Sequence, residues 1–197
     1  MTHQNTLTDP ARASFSRRLF VSRAGKATLS AGAVMVLATG CTGAYTNPAE
    51  AGDEAKDAQI LNTALGAELE AVAAYQVGAE SGLLEKAVLD LAVQFQGHHK
   101  EHADLLASTV NKLGGTPVAA KAKYDFPVDQ LKTQADVLRF AAGLEKGAVS
   151  AYLGAVPLFG NRDLAKAAAS ILGDEAMHWA VLRSALGENP VPGAFVS

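Results

Sequence analysis

The chain has 197 residues, 49% of them hydrophobic and 6% aromatic, with a formal net charge of −3. Alanine-rich, aromatic-poor composition favours closely packed helices over a sheet core, and the length suits one domain with an appendage. Residues 1–40 hold five basic residues and one acid, so the remainder carries −7, which argues against nucleic acid as a partner; the single cysteine, Cys41, excludes an intrachain disulfide.

Near the N-terminus, Ser16-Arg17-Arg18-Leu19-Phe20-Val21-Ser22 resembles the twin-arginine export motif and departs from it at Val21 and Ser22. The apolar run that follows, Ala27 to Thr39, is too short to span about 30 Å of hydrocarbon. A basic flank, an apolar run and a small-residue end, in that order, read as a signal peptide over residues 1–40; a disordered basic tail is the plainer alternative. Ala38-Thr39-Gly40-Cys41 resembles a lipoprotein cleavage box, with Ala38 where leucine is usual, and ordinary cleavage near Ala38–Ala44 is the other option. Cys41 is the expected lipidation site. A lipid there would hold the protein on a membrane surface without a spanning helix. Residues 41–56 then form a flexible tether. These features imply the twin-arginine export machinery as a partner, and a location in the periplasm or cell envelope.

Four helices are expected in the body, residues 57–187, followed by a tail, 188–197. Helix 1 is expected from Lys56 to Ala79, with Leu61, Leu65, Glu68, Val72, Tyr75 and Ala79 on its inner stripe. Glu70 lies about 200° from Glu68 and should face solvent. Helix 2 is expected from Leu83 to Leu113, where Gly114-Gly115 stops it. Its stripe runs through Phe95, His98 or His99, His102, Leu105 or Leu106, and Val110. Residues 114–131 contain two prolines and no clear period, as a long connection would. Helix 3 (Gln134 to Leu158) turns Leu138, Ala141, Glu145, Ala148 or Val149, Tyr152 and Val156 inward; helix 4 (Asp163 to Leu186) turns Ala168, Ile171 or Leu172, Glu175, His178 or Trp179, and Leu182 inward. Phe95 and Trp179 read as core.

The helices repeat. Glu68 and Glu145 are 77 residues apart, as are Tyr75 and Tyr152; His99 and Glu175 are 76 apart, as are His102 and His178. The chain therefore contains a duplicated helix pair, each copy bringing one glutamate and one i, i+3 pair of ligand type. A buried glutamate or histidine costs several kcal/mol unless paired or metal-bound. One such histidine is usually a satisfied core residue. Six polar groups in matching register are hard to explain that way. Glu68, His99, His102, Glu145, Glu175 and His178 are the candidate metal ligands, with His98 an alternative to His99 because it also shares a face with His102. Glu101 reads as a solvated charge. Tyr75 and Tyr152 lie about 10.5 Å along the axis from their own helix's glutamate. Each could instead hydrogen-bond a ligand on a neighbouring helix or serve as a core tyrosine.

On the motifs Glu68…Tyr75, His99-x-x-His102, Glu145…Tyr152 and Glu175-x-x-His178, residues 57–187 resemble twin-arginine-exported members of the ferritin-like superfamily. The resemblance implies an all-α four-helix bundle built from a duplicated helix hairpin, with a long crossover between helices 2 and 3. It also implies iron or manganese in the bundle core, in a mono- or dinuclear site, reacting with oxygen or peroxide if redox-active. A metal-free or metal-storing bundle in stress tolerance, similar to desiccation-related ferritin-like proteins, is the alternative; a mineral-storing cage is disfavoured by the tether. The departure from the family is His99, where glutamate is usual. Four glutamates and two histidines bring −4 to two divalent ions; three glutamates here bring −3. The expected result is one tight metal, at Glu145, Glu175 and His178, and one loose one.

Overall fold

A computed structural model describes residues 48–196. Arg17, Arg18 and Cys41 lie outside the described residues. Within them the structure is all-α: α1 (Pro48–Glu80), α2 (Lys86–Lys112), α3 (Gln134–Ala155) and α4 (Arg162–Ala185), with short 3₁₀ turns at Val128–Gln130 and Val156–Leu158. Helices α1 and α2 form one hairpin and α3 and α4 the other, joined by a long crossover. The result is a four-helix bundle. None of these helices is long and apolar enough to cross a membrane.

Local chemistry sets the helix ends. Pro48 suits a first helical turn, where its missing N–H is not needed. Alanines and glutamates after it favour a helix in spite of Gly52, and α1 runs through residues 48–56, a stretch the sequence reading assigned to the tether. At α3, Thr133 and Asp136 form a reciprocal capping box. Pro157 cannot donate to a helix, and the last turn expected of α3 becomes the 3₁₀ turn. Helices α2 and α4 end alike. Gly114 and Gly187 take positive φ of 73° and 74°, and Gly115 and Glu188 donate back to Val110 and Arg183. Both are Schellman closures, as a duplicated hairpin predicts. Asn62 of α1 ties down the crossover, donating to Thr116 O (2.7 Å) and accepting from Val118 N (2.8 Å).

The core comes in two apolar clusters with a polar layer between them. Leu61, Leu65, Leu106, Val110, Ala168 and Ile171 fill one end, and Phe95, Leu138, Ala141 and Leu182 fill the other. Leu106 is buried while Leu105 is 46% exposed, which resolves that pair on the inner stripe. The two ends thereby close off the buried glutamates and histidines from water along the bundle axis.

Asp57 was not on any expected stripe, yet it is 1% exposed. Its carboxylate accepts from Gly160 N and Asn161 N, both at 2.9 Å, tying α1 to the α3–α4 turn. Asp57→Ala should cost about 1–3 kcal/mol, seen as a fall in melting temperature of roughly 2–4 °C per kcal/mol. Asp57→Asn, which keeps one acceptor, should lose less. Thermal unfolding followed by circular dichroism measures both.

Candidate metal centre

Register alone brings the polar residues together. Glu68 and Glu145 sit on the inner stripes of α1 and α3. His99 and His102 are three apart on α2, and Glu175 and His178 are three apart on α4, so each pair shares a helix face. All six meet in the layer between the two apolar clusters. Glu68, His99, Glu145, Glu175 and His178 are at most 2% exposed.

The donor atoms fall into two overlapping groups, each within 4.8 Å: Glu68, His99, His102 and Glu175, and His99, Glu145, Glu175 and His178. In the first, His102 Nδ1 lies 3.0 Å from Glu175 Oε1 and 3.5 Å from Glu68 Oε2. In the second, His178 Nδ1 lies 3.5 Å from Glu145 Oε2 and 3.6 Å from Glu175 Oε2. Two donors bonded to one ion at about 2.0–2.2 Å lie roughly 3–3.6 Å apart, so these spacings fit a shared cation. Each group contains two glutamates and two histidines, because His99 and Glu175 belong to both. Composition therefore gives no reason to call one ligand set complete and the other not.

Hydrogen bonding orients the glutamates. Tyr152 donates to Glu68 Oε1 at 2.6 Å, and Tyr75 donates to Glu145 Oε1. Each tyrosine thus reaches the glutamate of the opposite hairpin. His99 Nδ1 is 2.8 Å from Glu68 Oε2 and its Nε2 is 3.2 Å from Glu145 Oε1. Among the described residues, five buried side-chain atoms have no hydrogen-bond partner: His102 Nδ1, Glu145 Oε2, both oxygens of Glu175, and His178 Nδ1. Buried polar atoms are rarely left so. All five belong to this cluster, and a cation would satisfy them. The residues present fit one.

One residue of the site went unassigned in the sequence. Asp174 Oδ2 lies 3.1 Å from His98 Nδ1, 3.2 Å from His178 Nε2 and 3.4 Å from His102 Nε2. It therefore stands beside the outer nitrogens of His102 and His178 while their Nδ1 atoms face Glu175; its own hydrogen bond is with His98. The signal was present: Asp174 precedes His178 by four residues, which is one helical turn. His98, with its side chain 34% exposed, lies beside Asp174 on the outer edge, and its Nδ1 is 2.9 Å from His178 Nε2. His99 is the one in the interior. Phe95 stacks on His178 at 4.0 Å between ring centres, while Glu101 is exposed, as expected.

A groove of about 560 Å³ between α1 and α3 leads to this layer. Its walls are small, including Ala67, Ala71, Gly143, Gly147 and Ala151, and it ends on Glu68, His99 and Glu145. Glu70, half-buried rather than fully in solvent, lines its edge.

The ferritin-like domain model matches residues 56–188, and the chain belongs to that family. Among solved structures it is similar to a conserved hypothetical protein, rv2844, of Mycobacterium tuberculosis (24% identity, TM-score 0.63), covering 73% of this chain and 99% of that one. It is also similar to the Desulfovibrio desulfuricans bacterioferritin, described with a diiron site (19% identity, TM-score 0.62; 70% and 81% covered). A third is a ferritin-like, diiron-carboxylate protein of Bacillus anthracis (21%, TM-score 0.59; 68% and 97% covered). At these identities the likeness establishes the shared fold. No curated protein matches the sequence.

The charges respond to one another. Burial opposes a charged imidazole, but Glu145 and Glu68 outweigh it at His99 and raise it from 6.5 to about 10. His102, beside Glu175 and Glu68, and His178, beside Glu145 and Glu175, are likewise raised against burial to about 9. Burial alone would raise Glu68 and Glu145, yet the neighbouring histidines hold both below 4.5. Tyr75 and Tyr152 are pushed upward, chiefly by burial and then by their glutamates, and stay neutral donors. The sign for stability follows. The histidines stabilise the metal-free fold fully below pH 6.5, and that contribution is lost as pH rises through about 9 to 10. The glutamates contribute above pH 4.5 and lose that contribution as pH falls below it. Melting temperature of the metal-free protein should therefore peak between pH 4.5 and 6.5 and decline on both sides. A flat profile from pH 6.5 to 10 would contradict the coupling.

Proposed function

We propose that this ferritin-like protein binds iron or manganese in the bundle core, with ligands drawn from Glu68, His99, His102, Glu145, Glu175 and His178. The observation that carries this reading is the set of five buried, unpartnered donor atoms, all turned into one layer. Mixed carboxylate and imidazole donors suit iron or manganese, and the diiron sites of two structural relatives favour iron. When bound, such an ion supplies redox chemistry with oxygen or peroxide.

The chain's own residues set the conditions for it. The two apolar clusters exclude bulk water from the ends, which strengthens every charge interaction in the layer. Asp174 stands beside the outer nitrogens of His102 and His178. Tyr75 and Tyr152 hold one oxygen of each opposing glutamate and leave the other to the interior. The groove between α1 and α3 admits a small molecule to the Glu68–His99–Glu145 edge.

The second reading is a metal-free structural bundle in stress tolerance. The observation favouring it is that three glutamates face three histidines that charge readily, a set close to electroneutral without metal. Metal analysis separates the two. Protein made without an affinity tag should carry iron or manganese, and His178→Ala should lose most of it while keeping its helical spectrum. Iron-loaded protein should be oxidised by peroxide, followed by ultraviolet absorbance. At Gly147 an added Cβ meets open space, so Gly147→Leu should fill the groove and slow that oxidation without changing metal content. Equal stability with and without chelator, and no bound metal, would favour the structural reading.

The N-terminal sequence adds export and a lipid anchor to this proposal. The twin-arginine route carries folded proteins, so metal could be loaded before export. Replacing Arg17 and Arg18 by lysine should leave precursor in the cytoplasm. Cys41→Ala should abolish palmitate labelling and release the protein from the membrane or stall its processing, with the bundle intact. Labelling that persists in Cys41→Ala, or is absent from the wild type, would remove the anchor from the model.

A further inference from the structure

The hydrogen-bond partners within the polar layer are divided unevenly, and the division assigns different jobs to its two halves. Both oxygens of Glu68 are engaged, one by Tyr152 at 2.6 Å and one by His99 at 2.8 Å. Both nitrogens of His99 are engaged as well, by Glu68 and by Glu145 Oε1. Three of the unpartnered atoms, Glu145 Oε2, Glu175 Oε2 and His178 Nδ1, lie together on the other side, with His178 Nδ1 3.5 and 3.6 Å from the two oxygens. The remaining two, His102 Nδ1 and Glu175 Oε1, are a pair 3.0 Å apart, without a free oxygen of Glu68 to complete a third donor.

We propose that the protein holds one divalent ion, at Glu145, Glu175 and His178, and that His99 stands where a second ion would otherwise be needed, tying Glu68 to Glu145. This deepens the metal reading and rests on it. An ionised carboxylate only accepts hydrogen bonds. His99 has such an acceptor at each ring nitrogen, so in this arrangement neither nitrogen is turned to an ion. Glu145 with Glu175 balances one ion of charge +2, whereas the other half of the layer offers only the open atoms of His102 and Glu175. The bundle thus keeps a family ligand plan while half of it forms an internal hydrogen-bonded bridge. Near Glu175, His102 completes the surroundings from the side.

The wild-type full chain, made without an affinity tag and stripped by chelator, decides the matter when titrated with Mn²⁺. The expected result is one tight equivalent per chain, with the electron paramagnetic resonance of an isolated Mn²⁺ ion. Two equivalents of equal affinity, or a spin-coupled pair, would overturn the one-ion assignment and leave the metal reading standing. No binding of Mn²⁺ or of Fe²⁺ would end both. Variants locate the ion. Glu145→Gln and His178→Ala should lose it, whereas Glu68→Gln, which keeps an acceptor for His99, should only weaken it, by about 10–100-fold, as for an outer partner. His99→Glu should admit a second equivalent. Loss of the ion in Glu68→Gln, with helicity and melting temperature retained, would show that Glu68 is a ligand and the assignment wrong.

Discussion

Three carboxylates sit in the middle of this bundle with almost no exposure, and the rest of the structure is organised around compensating them. An ionised carboxylate loses several kcal/mol of hydration on burial even after relaxation. Each of the three is surrounded accordingly. Glu68 has a tyrosine and a histidine, Glu145 has a tyrosine and two histidines nearby, and Glu175 faces His102 and His178. The apolar clusters above and below make these interactions stronger by lowering the local dielectric. They also make any missing partner more costly, which is why the unpartnered atoms of Glu175 and its neighbours are informative.

Duplication explains how a short sequence builds such a layer. Each hairpin supplies one glutamate, one tyrosine and one i, i+3 pair, and the tyrosine of each hairpin serves the glutamate of the other. Crossed service of this kind couples the hairpins. The symmetry breaks at one pair of equivalent positions, His99 and Glu175. Both lie where they touch both halves of the site, so the break replaces a shared anion by a shared base. A single substitution at such a position changes the charge balance of the whole layer.

The two long faces of the layer differ in character. On the α1–α3 side, alanine and glycine keep the helix surfaces low and leave a groove down to Glu68, His99 and Glu145. On the α2–α4 side, partly exposed His98 and Asp174 stand behind the inner histidines. The first face leaves open space beside the layer. The second places an imidazole and a carboxylate beside the outer nitrogens of the inner histidines. Ferritin-like architecture supplies the frame for both, and the particular side chains decide what the frame is used for.

Much was legible before any coordinates. Periodicity of 3.6 marked the four helices, Gly114 and Gly187 marked where α2 and α4 stop, and the spacings of 76 and 77 residues exposed the duplication and picked out Glu68, Glu145, Glu175 and the histidines. These are local or one-dimensional properties, and helix geometry converts them directly into faces. Asp57 was not legible as a structural residue, because its partners lie across the bundle and only packing brings them near; Asp174 stood one turn before His178, but its contacts with His98 and His102 on α2 depend on packing. The choice between adjacent residues, His98 or His99 and Leu105 or Leu106, also escaped the sequence, since neighbours on a helix differ by about 100° and the rotation of α2 is set by what it packs against. Composition and spacing by themselves determined which residues form the polar layer, the choice of His99 over His98 apart. Only the tertiary structure decided which atoms in it are already satisfied and which are left open, because hydrogen bonding is directional and depends on the relative rotation of four helices.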